Sequence, residues 1–343
     1  MNKITVSSLP IHRVIQNIAA EFDVDFQVNY NFYTVNIPST IGYGQISGID
    51  FGGGFGLLNY DCYFHKKMTI QFTLAEVHPM KFIHCKEGNF THGFELANEV
   101  HEIETYENII VASAQKNGHI LKFRDSQKTK ICSIEIDRNV FLPKLEKLPT
   151  NYSAKLSEVL MDNHGSKKFY HKGAYSLVIH NIITELLEGR ETELADIFYK
   201  KGKCYEMLAL QWDQFYKDKS KLALNRKINF TDFKLLEQMT QYIETNIREA
   251  ITMKTFEKQF ATNEKRVQFL FKMGYHTTFN SYLQNIRLER AIELLKDPTK
   301  NISDVVYSIG LTNKSYFSKI FKEKFGTTPS QFIKELKLEK KTL

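Results

Sequence analysis

Cysteine is scarce and dispersed in this sequence of 343 residues. The four cysteines, Cys62, Cys85, Cys132 and Cys204, include no CxxC pair, so the sequence predicts neither a disulfide framework nor a thiolate zinc site. Long apolar runs are also missing, and the first residues, MNKITVSSLPIHRVIQ, lack the apolar core of a signal peptide. We therefore expect a cytoplasmic protein without a membrane span.

Clustered metal ligands and catalytic constellations are missing as well. Metal ligands must converge on one ion, which favours two histidines close together in one strand with a carboxylate a few residues on. The six histidines between residues 25 and 141 contain no H-x-H pair: His65, His78, His84, His92, His101 and His119. No nucleophile and base stand in a recognisable arrangement. The sequence predicts no metal, no cofactor and no enzymatic activity.

Two short helices around a tight turn are predicted between Asn301 and Phe332. The first has apolar residues at helical spacing and stops at Gly310, where a residue tolerant of positive φ is favoured. Asn313 can cap the second helix, whose apolar residues lie on one face and whose lysines lie on the other. Thr328-Pro329-Ser330-Gln331 then forms a capping box for a third helix. This pattern is typical of a helix-turn-helix.

The same unit occurs 50 residues earlier in the chain. The matching pairs are Thr262-Asn263 with Thr312-Asn313, Phe271-Lys272 with Phe321-Lys322, and Thr277-Thr278 with Thr327-Thr328. A helix without breakers, Tyr282 to Leu295, joins the two copies. The first copy departs from the second by having Ala261 for Gly310, His276 for Gly326 and Phe279 for Pro329. The repeat predicts two helix-turn-helix modules joined by a linker helix.

Residues 232 to 336 resemble the DNA-binding domain of AraC/XylS-type transcription regulators. The resemblance is carried by R-x-x-x-A-x-x-L-L from Arg287 to Leu295, by S-Y-F-S-K-x-F-K, and by the closing F-G-T-T-P-S-Q-F. It implies a sequence-specific regulator, usually an activator that contacts RNA polymerase and responds to a small-molecule effector in its N-terminal domain. The residues themselves do not distinguish an activator from a repressor.

The outer faces of the two modules supply the predicted DNA contacts. Residues 229 to 343 carry 15 Lys and 4 Arg against 13 Asp and Glu, a net charge of +6. Such a charge attracts phosphate, and helix side chains in the major groove reach base edges. A lysine-rich face can also be merely solvated, and each residue can contact phosphate rather than a base. The candidates are Lys265, Arg266, Gln268, Lys272, Asn313, Lys314, Ser315, Lys319 and Lys322.

Short β-branched and aromatic runs between glycine and asparagine turns predict strands from Asp25 to about Phe141. Residues 37 to 72 weakly resemble the sensor domain of the siderophore-responsive, pyochelin-regulator-like branch of the same family. That resemblance implies a cupin-like barrel that holds an effector, siderophore-like or otherwise, whose pocket residues cannot be assigned. Residues 152 to 188 and 191 to 218 predict helices, which in the family pair two subunits.

The expected fold class is therefore an α+β multidomain chain: an N-terminal cupin-like β-barrel with dimerisation helices and a C-terminal all-α double helix-turn-helix. The expected domains are a sensor barrel (1–150), a helical dimerisation segment (151–218), a linker (219–231) and a DNA-binding domain (232–343). Expected partners are promoter DNA, RNA polymerase, an effector and a second subunit. Two other interpretations stay open: a cupin-type metalloenzyme with a DNA-binding tail, and an architectural DNA binder without sequence preference.

Overall fold

The computed structural model describes residues 3–7, 9–74, 77–144, 155–173, 175–187, 192–218, 230–275 and 277–342. The chain divides into two compact units, Met1–Lys227 and Ile228–Leu343. The described strands all lie in the first unit, whereas the second is helical throughout its regular elements. An α+β chain with a sheet-rich N-terminal part and a helical C-terminal part is thus confirmed.

The first unit contains two sheets. Its strands are β1 (Lys3–Val6), β2 (Phe26–Asn29), β3 (Phe32–Asn36), β4 (Gly42–Asp50), β5 (Phe55–Phe64), β6 (Met68–Phe72), β7 (Met80–Glu87), β8 (Asn89–Phe94), β9 (Val100–Glu104), β10 (Asn108–Ala112), β11 (His119–Phe123), β12 (Lys128–Ile136) and β13 (Phe169–Lys172). The smaller sheet has the order β1-β6-β11-β8-β9, and the larger has the order β13-β10-β7-β12-β5-β4-β3-β2. The two sheets do not close within the described residues, so the closed barrel that the resemblance implied is corrected to two open sheets.

Each face of the larger sheet packs against a different layer. One face packs on the smaller sheet and on α1 (Ile11–Phe22), where alternating residues such as Ile70 and Phe72 point inward. The other face packs on helices: α2 (Arg138–Phe141), α3 (Lys155–Met161), α4 (Leu177–Leu186) and α5 (Glu193–Asp218). A short 3-10 helix, Leu142–Lys144, follows α2. Burial of apolar side chains on both faces stabilises this three-layer arrangement.

The predicted helix over residues 152 to 188 is wrong in its middle. Strand β13 lies there and pairs antiparallel with β10, Ala112 opposite Phe169 and Ile109 opposite Lys172. Gly165 adopts φ 59°, which ends any helical path after α3. Apolar residues in this stretch do not recur at helical spacing, and the free edge of β10 offers backbone hydrogen bonds to an extended segment.

Four of the six N-terminal histidines, His78, His84, His92 and His119, are buried in the first unit. Nε2 of His92 lies 3.0 Å from Nδ1 of His119. Burial, helped by the nearby Lys81 ammonium, lowers the pKa of His78 to about 4 and that of His92 to about 3. These imidazoles are neutral at pH 7. Within the described ranges no group of three His, Cys, Asp or Glu side chains is placed to hold a metal ion.

Seven helices form the described part of the second unit. They are α6 (Phe230–Thr245), α7 (Met253–Gln259), α8 (Glu264–Tyr275), α9 (Phe279–Leu295), α10 (Ile302–Ser308), α11 (Lys314–Phe325) and α12 (Pro329–Thr342). Of the predicted linker, residues 219–229 lie outside the described residues, and Phe230 already begins α6. No helix in the described ranges combines the length and apolar character needed to cross a membrane.

Candidate DNA-binding surface

The second module is built from α10, a tight turn and α11. Gly310 in the turn adopts φ 72°, a left-handed conformation that glycine reaches without steric penalty. The N–H of Leu311 donates to the carbonyl of Val306 at 3.0 Å, which closes the end of α10 in a Schellman arrangement. Oδ1 of Asn313 accepts the N–H of Tyr316 at 2.9 Å and caps α11. The predicted stop, turn and cap are all confirmed.

The first module repeats both contacts, with a turn that is one residue shorter. The N–H of Thr262 donates to the carbonyl of Glu257 at 3.0 Å, and Oδ1 of Asn263 accepts the N–H of Arg266 at 3.0 Å. Ala261 occupies the position of Gly310 and still adopts positive φ, at 45°. The turn geometry therefore survives the loss of the glycine. His276, which stands where the second copy has Gly326, lies outside the described residues.

Helix α9 joins the two modules. Its N-cap is Thr278, whose side chain accepts the N–H of Ser281, and its C-terminal half packs Leu288, Ala291 and Leu295 into the apolar core of the second module. Nη2 of Arg287 donates to the carbonyl of Glu249 at 2.9 Å, and burial lowers the pKa of this guanidinium. One arginine thus ties the linker helix to the turn between α6 and α7.

The second module presents its predicted DNA-contacting side chains to solvent. Lys314, Ser315, Lys319 and Lys322 are exposed on α11 and make no ion pair or side-chain hydrogen bond within the described part of the chain. Asn313 is also exposed, but its side-chain oxygen Oδ1 already accepts the N–H of Tyr316 as the helix cap. A row of uncommitted donors on one helix face can bind phosphate oxygens and the acceptor edges of bases.

In the first module, two of the four side chains predicted to contact DNA make contacts within the protein instead. Lys265 and Lys272 are exposed on α8. Nη2 of Arg266, however, lies 2.7 Å from Oδ1 of Asp232 on α6. Oε1 of Gln268 accepts the N–H of Phe279 at 3.2 Å, at the first residue of α9. The structure therefore brings all four residues to α8, and among the described residues Lys265 and Lys272 make no ion pair or side-chain hydrogen bond.

The hydrogen bond between Gln268 and the N–H of Phe279 has a chemical cause. Proline is favoured at the first helical position because its missing N–H needs no partner there. The second module has Pro329 at the start of α12, whereas the first has Phe279, whose N–H requires an acceptor. Gln268 supplies that acceptor, and the matching residue of the second module is Ser318.

Two exposed aromatic residues of the second module were not among the predicted contacts. The side chain of Tyr316 is 48% exposed at the start of α11, and that of Tyr307 is 79% exposed on α10. Tyr316 occupies the position of Arg266 in the repeat. The signal for Tyr316 in the sequence is its place in the repeat, since it matches an outward residue, Arg266, that was among the predicted contacts.

Comparisons with known proteins agree with this geometry. Residues 257–335 match the family model described as a helix-turn-helix domain. The Msm operon regulatory protein of Streptococcus mutans is 23% identical over 53% of this chain and 65% of its own length. The HTH-type transcriptional activator RhaR of Mannheimia succiniciproducens is 22% identical over 71% of this chain and 81% of its own. The transcriptional activator AggR of Escherichia coli is 30% identical over 33% of this chain and 44% of its own.

The chain thus spans less than two thirds of the Msm and AggR proteins, and the AggR match covers only a third of this chain. Its matched helix-turn-helix residues include α8, α9, α10 and α11, the elements that carry the repeat. Within the C-terminal unit of this chain, residues 257–335 form a helix-turn-helix domain similar to those of transcription regulators.

Proposed function

We propose that the protein is a sequence-specific transcription regulator that binds promoter DNA through its C-terminal unit and responds to a small molecule bound in its N-terminal unit. The observation that carries the proposal is the uncommitted polar row on α11, Lys314, Ser315, Lys319 and Lys322, on a helix that a glycine turn and an asparagine cap hold in place. The cytoplasmic location expected from the sequence is part of the same proposal.

The two modules contribute unequally in this proposal. Helix α11 reads base edges, with Ser315 and Lys319 as the principal donors. Helix α8 contacts the phosphate backbone of the DNA through Lys265 and Lys272. Arg266 is paired with Asp232 and Gln268 with the N–H of Phe279, so neither is assigned to base reading. Sequence preference is therefore concentrated in one half-site.

The finer parts of the proposal are an activator role, contact with RNA polymerase and a homodimer. Activation is supported by the names of two relatives, which are transcriptional activators. A homodimer is supported by Leu194 and Phe198 of α5, which lie one turn apart with 64% and 66% of their surfaces exposed. The siderophore-like effector that residues 37 to 72 suggested stays a prediction.

Selection of bound fragments from a random DNA pool tests the proposal. The wild-type protein is expected to enrich a motif with two half-sites about one helical turn apart, of which one is strongly preferred and the other only weakly. The Ser315→Ala, Lys319→Ala variant should lose preference in the strongly preferred half-site only. The matched control, Lys265→Ala with Lys272→Ala, should keep the motif and bind all sequences more weakly.

Two outcomes contradict the proposal. If no motif is enriched and binding merely weakens with salt, the protein is an architectural DNA binder. If the control pair abolishes the motif while the α11 pair leaves it unchanged, the assignment of base reading to α11 is wrong.

A further inference from the structure

The two helix-turn-helix modules share the long helix α9. Phe279 and Tyr282 in its first half pack against Phe271 of the first module, with ring centroids 5.5 and 5.1 Å apart. Leu288 and Leu295 in its second half lie in the apolar core of the second module. Each half of α9 thus belongs to a different module, so a bend or twist at the middle of the helix changes the orientation of one module relative to the other.

Arg287 is the middle residue of α9 (Phe279–Leu295). Its Nη2 atom donates to the carbonyl of Glu249 at 2.9 Å, in the turn that leads into α7 of the first module. The same atom would lie 2.9 Å from a Cβ atom placed on Gly310, in the turn of the second module. The guanidinium therefore lies where the turn before one module meets the turn of the other.

The two turns also touch directly. A Cβ atom on Gly310 would lie 2.6 Å from the carbonyl oxygen of Ile247, an approach that only glycine permits. Next to this contact the turn before α7 is separated from α9 and α10 by an open cleft of about 770 Å³, whose lining includes Glu244, Ile286 and Ser308. The direct contact is therefore narrow, and the hydrogen bond of Arg287 adds a second connection between α9 and the turn.

The position of Arg287 has a cost in stability. The side chain is half-buried, it makes no ion pair within the described part of the chain, and its Nε atom is buried without a hydrogen-bond partner there. Burial lowers the pKa of the guanidinium, since the charged form loses hydration. A partly desolvated charge without a carboxylate is often less stabilising than an apolar side chain of similar volume. Such local costs are typical of residues that serve function as well as stability.

We propose that Arg287 is a positioning residue for DNA binding, which fixes the distance and angle between helices α8 and α11. This inference rests on the proposed function, in which α11 reads the strongly preferred half-site and α8 contacts the phosphate backbone through Lys265 and Lys272. With the joint rigid, seating α11 brings those two lysines to one fixed stretch of DNA, so the weakly preferred half-site has one spacing from the strong one. With the joint loose, the lysines reach several stretches and the fixed spacing is lost.

Pulsed electron–electron double resonance on the full chain, without DNA, measures the joint directly. Spin labels are attached at Lys272→Cys and Lys322→Cys, exposed positions of α8 and α11 that match in the repeat. The four native cysteines are buried, so thiol labelling is confined to the introduced ones. We expect one narrow distance distribution when Arg287 is present and a distribution at least about twofold wider in Arg287→Ala, since a hinge is released.

Arg290→Ala is the matched control. It removes the same type of side chain one turn further along α9, where Arg290 pairs with Glu293 of the same helix, and it should leave the distance distribution unchanged. If far-UV circular dichroism shows that Arg287→Ala does not fold, Arg287→Lys takes its place. Lysine keeps the charge and one donor group but not the planar fork, so this variant should widen the distribution as well.

Selection of bound DNA fragments tests the consequence for DNA binding. Unlabelled wild type and Arg290→Ala should enrich the weak half-site at one spacing from the strong one. Arg287→Ala should keep the strong half-site and enrich the weak one at several spacings. A loss of fold stability alone would weaken binding to every fragment and leave the spacing as it is.

An unchanged distance distribution in the Arg287 variant, or a fixed spacing in the fragments that it selects, overturns the inference. Failure of the proposed function has a different result. If the wild type enriches no motif, the regulator is refuted together with the role of Arg287 in DNA binding, while the labels still decide whether Arg287 holds the joint.

Discussion

Gly310→Ala is expected to destabilise the C-terminal unit by about 3 kcal/mol. The new Cβ would lie 2.6 Å from the carbonyl oxygen of Ile247 and 2.9 Å from that of Glu249, both backbone atoms, and 2.9 Å from Nη2 of Arg287. A left-handed conformation costs an alanine about 1–2 kcal/mol. Displacing close-packed neighbours typically costs about 1–3 kcal/mol. The lower entropy of the unfolded alanine variant offsets about 0.4–1 kcal/mol of this.

Urea unfolding of the full chain, followed by far-UV circular dichroism and by tryptophan fluorescence, measures the effect. The single tryptophan, Trp212, lies on α5 of the first unit, so a transition seen by circular dichroism alone reports the C-terminal unit. Ala261→Gly is the matched control, because Ala261 already accommodates a Cβ at the same turn position. We expect it to change stability by less than about 1 kcal/mol, since relief of strain and gain of unfolded-state entropy nearly cancel. If Gly310→Ala changes the unfolding free energy no more than this control, the packing argument is wrong.

Three further predictions concern single side chains. Gln268→Ala should destabilise the C-terminal unit by about 1–2 kcal/mol because the N–H of Phe279 loses its acceptor, whereas Gln268→Glu should keep the stability near wild type; the same urea assay compares them. Arg266→Ala should lower DNA affinity less than about threefold because its guanidinium is paired with Asp232, whereas Lys319→Ala should lower it at least about fivefold; a fluorescence-anisotropy titration with the selected DNA site measures both. The stability of the first unit should fall as the pH falls from 6.5 towards 4, by up to about 1.4 kcal/mol per pH unit for each buried histidine, because His78 and His92 stay neutral in the folded state while the unfolded chain takes up protons. Trp212 fluorescence should show a shallower slope for His92→Gln, and an unchanged slope would refute the assignment.

The helix boundaries of the C-terminal unit could be predicted because their signals are local. Gly310, Asn313 and Thr328 each act on residues within five positions of themselves, and the structure places a left-handed turn, an N-cap and a capping bond at those residues. The 50-residue repeat added a second copy of the Asn313 and Thr328 signals, at Asn263 and Thr278, but not of the glycine. Sequence pattern and fold agree wherever the stabilising contact is close in the chain.

The N-terminal unit was predictable in class but not in topology. Strand β13 forms because β10 offers it an edge some 60 residues earlier in the chain, and the sequence of residues 169 to 172 does not contain that information. The order of strands in each sheet likewise depends on contacts between distant segments. Four of the six histidines between residues 25 and 141 lie in the interior, which the sequence does not show because the neighbours that bury them come from other strands.

Side chains on the predicted DNA face divide according to tertiary contacts that spacing cannot show. Arg266 and Gln268 have the residue types and positions of base-reading groups, but each meets a specific partner, Asp232 or the N–H of Phe279. The contact between Gln268 and Phe279 joins two positions at which the first module differs from the second, which has Ser318 and Pro329 there. A phenylalanine at the start of α9 fills the core but introduces a donor that Pro329 lacks, and the glutamine that satisfies it comes from the outer face of α8. Stability of the first module is therefore gained at the expense of a residue that could read bases, which is why the proposed function assigns sequence preference to α11.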